Sequence, residues 1–410
     1  MSAAPKEPTV SSHFQLALIT ALLGATILLI SVGARQSYGL FLTPLSEKLN
    51  LGRESFSFAV ALANLIWGLA APFTGRLTDK YGPFWVLLAG TLCFAGGFVG
   101  LGLAETSYHL ILCGILMGLG LGATGFTVVI GTVGRIAGPD YRDKMITLAS
   151  VGSALGLCLA IPFAGWLLSI QSLEQAIFSI ACVIMLILVL TVPFSKLSKT
   201  ETNIADHDDG MDYIRHGMSN RNYLMLMAGF FVCGFHIAFT AVHLPAFLED
   251  ATGGPWLGTM ALFLIGLGNV FGTFSAGMLG DRYSKTRLLS LIYFMRGIVF
   301  IGFFVLPLSP LMVYVLSFAM GLLWLGTVPL TSGLVAQLYG PKWLSMLFGI
   351  VFLSHQVGSF FGAWLGGLVF DQTSSYDLMW MGAAVLALLS ALIHLPIEEK
   401  LQFSSPLKST

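Results

Sequence analysis

Long apolar runs, separated by short polar segments, occupy most of this 410-residue chain. Each run holds roughly 20 residues or more with few charges, the length a helix needs to cross the ~30 Å hydrocarbon core of a bilayer. The pattern predicts twelve transmembrane helices, numbered spans 1 to 12 in chain order, and hence an all-α membrane protein. The runs lie near residues 15–45, 55–75, 82–104, 108–135, 144–168, 174–195, 222–248, 256–278, 286–306, 309–338, 344–369 and 377–396.

Composition supports this class, because 56% of the residues are hydrophobic and only 10% are charged. A soluble domain could not cover its surface with so few charges. The first run begins near Phe14, contains Arg35 and is too long for a signal-peptide core, so we expect a retained span. The cysteines all fall inside apolar runs, which indicates packing rather than disulfides or metal binding.

Chemistry-bearing motifs of enzymes are missing from the sequence. It contains no Ser/His/Asp set, metal cluster or phosphate-binding loop, so we expect neither an enzyme nor a cofactor. The expected partners are the lipid bilayer and a small-molecule substrate, without nucleic acid, and the expected functional unit is a monomer.

Positive charges are distributed unevenly over the predicted loops. With the N-terminus inside, the outer loops carry only Lys48 and Arg53. By the positive-inside rule, both termini should face the cytoplasm, and we expect a bacterial inner (plasma) membrane. The predicted inner loops carry Arg76, Lys80, Arg142, Lys144, Lys196, Lys199, Arg215, Arg221, Arg282, Lys285, Arg287 and Lys342.

The two halves of the chain repeat one another. Residues 75–81 (Gly-Arg-Leu-Thr-Asp-Lys-Tyr) recur as residues 277–283 (Gly-Met-Leu-Gly-Asp-Arg-Tyr), 202 positions later (277 minus 75). Gly156 matches Gly358 at the same offset. The repeat predicts a tail over 1–14, a six-helix bundle over 15–195, a cytoplasmic linker over 196–221, a second bundle over 222–396 and a tail over 397–410.

The duplicated Gly-x-x-x-Asp-(Lys/Arg)-Tyr loop resembles the signature that follows helices 2 and 8 in the major facilitator superfamily. The resemblance implies two bundles that rock about a site near the midplane. It also implies that the motif forms a conformational gate, in which an aspartate at a helix end contacts cationic partners in one state only. The implied gate residues are Gly75, Asp79, Lys80, Gly277, Asp281 and Arg282.

Within that superfamily the chain resembles the monocarboxylate porters and their bacterial relatives. Residues 141–149 and Gly156 are similar to the motif leading into helix 5, and residues 34–41 to the helix 1 segment that carries a substrate-side lysine, where this chain has Arg35. The related oxalate–formate exchangers carry a cation in helix 11, where this chain has His355. Two family features are absent: the acidic-Gly-aromatic signature before helix 1, and the helix 8 Asp/Arg pair, replaced by Asn269 and Thr273.

Ionisable residues inside a bilayer are costly and therefore candidates for function. Every Asp and Glu falls in a loop or at a span end, whereas cationic or titratable groups lie deep in the spans. A cavity with Arg and His but no acid is electropositive, and an anionic substrate would supply the countercharge. The embedded groups are Arg35, His236, His243, Arg296 and His355.

Arg35 is the leading substrate-binding candidate, because a guanidinium offers two parallel donors to a carboxylate. The alternative is that Arg35 bonds kinked backbone near Pro44. His236, its repeat-mate, and His355 are candidate proton carriers, since histidine changes charge near neutral pH; each could instead be a core residue, and Arg296 could be structural. The remaining substrate-site candidates are Tyr38, Asn64, Trp67, Asn269, Trp324, Thr331 and Gln356.

The sequence thus predicts a secondary transporter for a small organic anion, with a monocarboxylate as the leading class and proton symport as an option. One alternative is a neutral aromatic solute, such as a vitamin, stacked on Trp67 and Trp324; a metabolite or drug exporter is another. A sensor that signals through the linker is disfavoured, because the chain carries no signalling domain.

Overall fold

The structure, a computed structural model, describes residues 10–196, 210–280, 282–339 and 344–400, excluding the side chains of 10–12, 79, 138–140, 142–143, 196, 210–213 and 344–345. Within these ranges, 12 helices are long and apolar enough to cross a membrane. Each coincides with one of the predicted spans. The hydropathy prediction of a twelve-helix, all-α membrane protein is therefore confirmed.

The first half contains six spans, and two of them are interrupted. Span 1 tightens into a 3₁₀ turn, and span 4 breaks at Gly125. The backbone then stays helical through the expected loop at 136–143, although Gly138 and Pro139 lie within it. The helices are Val10–Gln36, Ser37–Phe41 (3₁₀), Leu42–Leu49, Arg53–Tyr81, Pro83–Gly102, Ser107–Thr124, Phe126–Ile170, Leu173–Thr191 and Val192–Lys196 (3₁₀).

The second half repeats this arrangement. A short helix precedes span 7, and span 10 is interrupted at residues 323–326, as span 4 is at Gly125. The helices are Gly210–Ser219, Arg221–Thr252, Trp256–Gly280, Lys285–Val305, Pro310–Leu322, Thr327–Tyr339, Leu344–Thr373 and Asp377–His394.

Glycines bring helix backbones into contact at equivalent places in both halves. In the first half, a Cβ on Gly156 of span 5 would overlap the Leu29 carbonyl of span 1. In the second half, a Cβ on Gly358 of span 11 would overlap the Phe231 carbonyl of span 7. The sequence repeat therefore corresponds to a repeated helix contact, and small residues permit it, as is common between helices in lipid.

The halves contact one another from one face of the molecule to its middle. We call the face where span 2 begins the Arg53 end, and the face that carries the linker the linker end. At the Arg53 end, Arg53 bonds Asp250 of span 7. Midway along, a Cβ on Gly68 of span 2 would lie 2.7 Å from the Gln356 Cβ of span 11.

Toward the linker end, several glycines of the described helices border open space. A Cβ on Gly131, Gly277 or Gly349 would meet no atom within 4 Å. These glycines lie in spans 4, 8 and 11, on the linker side of the central contacts. The bundle is closed at the Arg53 end, where the two halves contact one another.

The duplicated motif is only partly described. A Cβ on Gly75 would lie 3.0 Å from Thr127 Cγ2, and the Lys80 ammonium lies 5.0 Å from the ring centroid of Tyr81. Arg282 is exposed. The Asp79 side chain and all of Asp281 lie outside the described residues, so the gate remains a prediction.

We expect Gly358→Ala to lower the apparent melting temperature, because the added methyl group would push span 11 away from the Phe231 carbonyl. Overpacking of this kind costs about 1–3 kcal/mol. Thermal unfolding of the purified protein in detergent measures the change.

The matched control is Gly349→Ala on the same helix, where the methyl group would enter open space. Alanine also favours a helix over glycine, so this variant should be at least as stable as the wild type. Equal melting temperatures for the two variants would contradict the close contact between spans 7 and 11.

Candidate functional site

Arg35 lies at the end of the first helix of span 1, directly before the 3₁₀ turn. Its Nε and Nη2 donate to Asn64 Oδ1 of span 2 at 3.1 and 2.8 Å. Its guanidinium carbon lies 5.2 Å from the ring centroid of Trp67, within cation–π range. In the described part of the chain Arg35 forms no salt bridge. Its charge is thus met by a neutral amide oxygen and an aromatic ring.

Span 11 of the other half extends this group. Gln356 Nε2 donates to the backbone carbonyl of Asn64 at 3.2 Å. The Gln356 Oε1 is then the acceptor for His355 Nδ1, 3.0 Å away, which requires the proton on Nδ1. Arg35, Asn64, Trp67, His355 and Gln356, which we call the central cluster, therefore bridge the two halves.

An aromatic wall flanks the central cluster. The Phe352 ring stacks on His355, with centroids 5.7 Å apart and planes at 7°. The same ring meets Trp67 edge-on at 5.6 Å. The Phe352 ring therefore has a neighbour on each of two sides, His355 and Trp67, and these contacts restrict its rotation.

A small cavity of about 10 Å³ adjoins Arg35 between spans 1, 2 and 7. Tyr38 lies in the 3₁₀ turn, with its ring 5.6 Å from that of Phe98. Among the described residues, Tyr38 Oη and Gln36 Oε1 have no hydrogen-bond partner. The cavity is lined by Arg35, Gln36, Tyr38, Gly39, Val60, Asn64, Ala238, Ala241 and Val242.

Arg296 is fully buried, and its guanidinium group bonds the backbone at the break in span 10. Its Nε donates to the Leu323 carbonyl at 2.9 Å, and Nη2 donates to the carbonyls of Leu323 and Trp324. On the other side of the break, Asn269 Oδ1 accepts from the Leu325 N–H at 3.0 Å. The polar atoms of an interrupted helix in lipid must be satisfied internally. This geometry supports a structural role for Arg296.

Other predicted site residues lie outside the central cluster. Asn269 and Trp324 belong to the span 10 break, and Trp324 is 1% exposed. His236 Nε2 bonds the Ala383 carbonyl at 2.9 Å, and its ring lies 4.6 Å from that of Phe300. His236 therefore contacts spans 9 and 12 rather than the central cluster in this structure, and its role in substrate binding or proton coupling stays a prediction.

The orientation of His236 could not be read from the sequence of span 7. Of the twelve spans, span 7 is the most buried, at 78% of its most apolar window. When a helix is apolar and buried all round, its sequence pattern does not indicate which face turns toward a cavity. His236 faces spans 9 and 12 instead. Thr331 is also buried, and its Oγ1 has no hydrogen-bond partner among the described residues.

Sequence reasoning assigned no role to the residues that close the Arg53 end. The Arg53 side chain is only 11% exposed, and its two Nη atoms bond Asp250 at 2.7 and 2.6 Å. His243 was recognised as embedded, but its partner Tyr376 is 133 residues away in the chain. The available signal was the pair of opposite charges at the ends of spans 2 and 7.

Comparison with known proteins agrees with this architecture. The family model described as Major Facilitator Superfamily matches residues 24–344 and, separately, 267–404. The chain belongs to the Major Facilitator Superfamily. It is therefore a membrane transporter and an integral, multi-pass membrane protein, as the duplicated motif implied.

Relatives of this superfamily transporter span most of its length. The uncharacterised MFS-type transporter YcxA of Bacillus subtilis (strain 168) is 27% identical over 88% of this chain and 90% of its own. Human monocarboxylate transporter 11 is 23% identical over 92% of this chain and 82% of its own. The resemblance to the monocarboxylate porters is thus confirmed as a relationship.

A solved structure has the same fold. The crystal structure of a D-xylose–proton symporter superposes with a TM-score of 0.74, covering 95% of this chain and 99% of the other at 15% identity. At that identity the similarity concerns the fold and carries no information on substrate.

We expect Arg296→Leu to destabilise the transporter strongly, because the Leu323 and Trp324 carbonyls would lose their donors inside the bundle. Each buried acceptor left unpaired costs about 1–3 kcal/mol. Thermal unfolding in detergent checks this, with Arg287→Leu, an exposed position on the same helix, as the control. A melting temperature as high as that of the control would contradict a structural role for Arg296.

Proposed function

We propose that this transporter moves a small organic anion, with a monocarboxylate as the leading class, by alternating access and in symport with protons. The observation that carries the proposal is the environment of Arg35. Among the described residues, this cation in the middle of the bundle has an amide oxygen and an indole ring as its partners. A carboxylate would supply the missing countercharge in the geometry that a guanidinium favours.

Neighbouring groups suit the same ligand. Tyr38 Oη is buried without a hydrogen-bond partner among the described residues and lines the cavity that adjoins Arg35. A phenol can donate a hydrogen bond to one carboxylate oxygen while the guanidinium binds the other. The name of the human relative, a monocarboxylate transporter, supports the same substrate class.

The cavity beside Arg35 is small, which supports substrate entry in another conformation. A cavity of about 10 Å³ is close to the minimum that holds a single water molecule, so it admits no carboxylate as it stands. Substrate would enter after the helices around Arg35 separate. We propose that this occurs as the halves rock, and that the duplicated motif of Gly75 and Gly277 gates the linker end.

The charge distribution supports one orientation in the membrane. The positive-inside pattern supports cytoplasmic termini in a bacterial plasma membrane, with residues 15–195 and 222–396 as the moving bundles. The open space at Gly131, Gly277 and Gly349 would then face the cytoplasm. We propose that the closed Arg53 end marks an inward-facing state of a functional monomer.

His355 is the candidate proton carrier that remains in the central cluster. It bonds Gln356, which in turn bonds the span that holds Asn64. Gain of a proton would therefore act on the contact between the halves, close to Arg35. His236 lacks this connection, because it lies between spans 7, 9 and 12.

We expect Arg35→Ala to reduce uptake of organic acids into proteoliposomes by about 10- to 100-fold, the loss typical of hydrogen bonds to a charged group. A panel of labelled monocarboxylates provides the substrates, and Arg287→Ala, exposed at the linker end, is the control. Uptake by Arg35→Ala equal to that of the control, for every acid transported, would rule out Arg35 as the anion site.

A neutral aromatic solute is the second candidate, favoured by the wall of Trp67 and Phe352. A competition assay distinguishes the anionic substrate from the neutral aromatic one. Unlabelled monocarboxylates should inhibit uptake if the substrate is an anion, whereas only aromatic compounds should inhibit it under this alternative.

Proton coupling is tested with an imposed gradient. Uptake of a transported acid should rise when the outside is made acidic, and His355→Gln should remove that increase, because glutamine keeps a donor but does not titrate. Gln171→Ala, at the Arg53 end of the first half, serves as the control. An unchanged response in His355→Gln would exclude His355 as the proton carrier while leaving anion binding by Arg35 intact.

A further inference from the structure

Arg53 joins the two halves at one end of the molecule. Both of its Nη atoms bond the Asp250 carboxylate, and Nη1 also donates to Tyr376 Oη at 3.0 Å. The guanidinium carbon lies 3.9 Å from the ring centroid of Phe370. Arg53 belongs to span 2, whereas its partners belong to the second half. Opening this end therefore requires Arg53 to leave all three.

The same end is closed by a helix cap. Asp371 of span 11 accepts from the backbone N–H groups of Arg53 and Glu54 at 2.9 and 2.8 Å. A carboxylate at the positive end of a helix is favourable. Trp364 Nε1 donates to Glu54 Oε1 at 3.0 Å. The first turn of span 2 is thus held by the second half through side chains and backbone together.

His243 lies directly beneath this contact. Its Nδ1 is 3.1 Å from Tyr376 Oη, and its Nε2 is 2.7 Å from the Ala363 carbonyl. A carbonyl can only accept, so Nε2 carries a proton and the neutral ring accepts at Nδ1 from the Tyr376 hydroxyl. A Cβ on Gly366 would overlap the ring, so span 11 leaves the ring no room to turn.

Tyr376 is able to donate in this way. It is 2% exposed, and burial raises the pKa of its phenol above the ordinary value, so the hydroxyl keeps its proton. The hydrogen bonds therefore run in one direction: Arg53 donates to Tyr376, Tyr376 donates to His243, and His243 donates to Ala363. Neutral His243 satisfies every member of this chain.

A second proton on His243 reverses one of these bonds. Nδ1 would become a donor, so the Tyr376 oxygen would face donors from both His243 and Arg53, and its own hydrogen would need another acceptor. The imidazolium would also lie two hydrogen bonds from the Arg53 guanidinium, in a region where like charges repel strongly. Both effects weaken the contact between Arg53 and the second half.

The other charged groups around this site do not replace the lost bonds. Asp250 of span 7 is already paired with Arg53, and Asp371 of span 11 with the N-terminus of span 2. Glu54 of span 2 is bonded to Trp364. Glu249 of span 7 points to Thr43 of span 1 and lies beside Glu47.

We propose that His243 is a proton-binding site that controls the Arg53 end: neutral His243 keeps this end closed, and protonated His243 releases it. The residue acts through Tyr376 and Arg53 and is a positioning residue. This proposal does not depend on the substrate, so it can fail or succeed separately from organic-anion transport.

The test uses a cysteine at a buried position of the contact. Ser57 is fully buried, and a Cβ on Gly367 of span 11 would lie 2.7 Å from its hydroxyl oxygen. Ser57→Cys should react with a hydrophilic thiol reagent only when the Arg53 end opens. The full chain is studied in lipid nanodiscs with the partly accessible Cys93 and Cys182 changed to Ser. Rates are divided by those of Tyr108→Cys, which is 80% exposed, to correct for thiol ionisation.

We expect this ratio to rise at least roughly tenfold between pH 8 and pH 5.5 when His243 is present. His243→Gln, which keeps a neutral donor, should give a low ratio at both pH values, and Tyr376→Phe should also lose the acid response. Arg53→Gln should give a high ratio throughout. Lys48→Gln breaks an ion pair within the first half at the same end and should behave like the wild type.

Two results would overturn the proposal. One is a wild-type ratio that does not change with pH. The other is an acid response that persists in His243→Gln or in Tyr376→Phe; either variant alone is sufficient if the other fails to fold.

Discussion

A charge buried in a lipid environment must find its partners inside the protein, because no water is present to solvate it. Three arginines of this transporter, two inside the spans and Arg53 at the end of span 2, find partners of different chemistry. Arg296 uses backbone carbonyls at a helix break, and Arg53 uses the Asp250 carboxylate. Within the part of the chain that the structure describes, Arg35 uses the Asn64 amide oxygen and the Trp67 ring.

The partner indicates the role in each case. Arg296 and the carbonyls that it bonds belong to the same bundle, so these bonds stabilise the second half. Asp250 belongs to the half opposite Arg53, so their bond exists only in a conformation that joins the halves. A neutral amide leaves the charge of Arg35 largely uncompensated, and an anion is the ligand that completes such a site.

The two halves share their architecture because the sequence repeats, but some equivalent positions have different roles. Ser31 and Cys233 are repeat-mates (233 minus 31 is 202), and each contacts a residue at a helix break. Ser31 Oγ donates to the Thr124 carbonyl of span 4 at 3.2 Å. Cys233 Sγ lies 3.2 Å from Thr327 Oγ1 of span 10. The repeat-mate of Arg296 is Phe94, which packs against Gly120 instead. The sequence predicted the spans and the repeat, and its substrate-site candidates include all five residues of the central cluster. It could not predict the rotation of span 7, which is buried all round, or the pairing of Arg53 with Asp250 across 197 residues.

Spans 2 and 11 connect the central cluster to the Arg53 end. Span 2 carries Arg53 and Asn64, and span 11 carries Gln356 and Asp371, so the same two helices meet at the centre and at the end. A helix transmits displacement along its axis, because its backbone hydrogen bonds resist bending. Separation at Asp371 must therefore strain the bond from Gln356 to the Asn64 carbonyl, and a ligand that displaces Asn64 must strain the contacts of Arg53. Packed interfaces of this kind have discrete arrangements rather than a continuous range, so the centre and the end should open and close as one element.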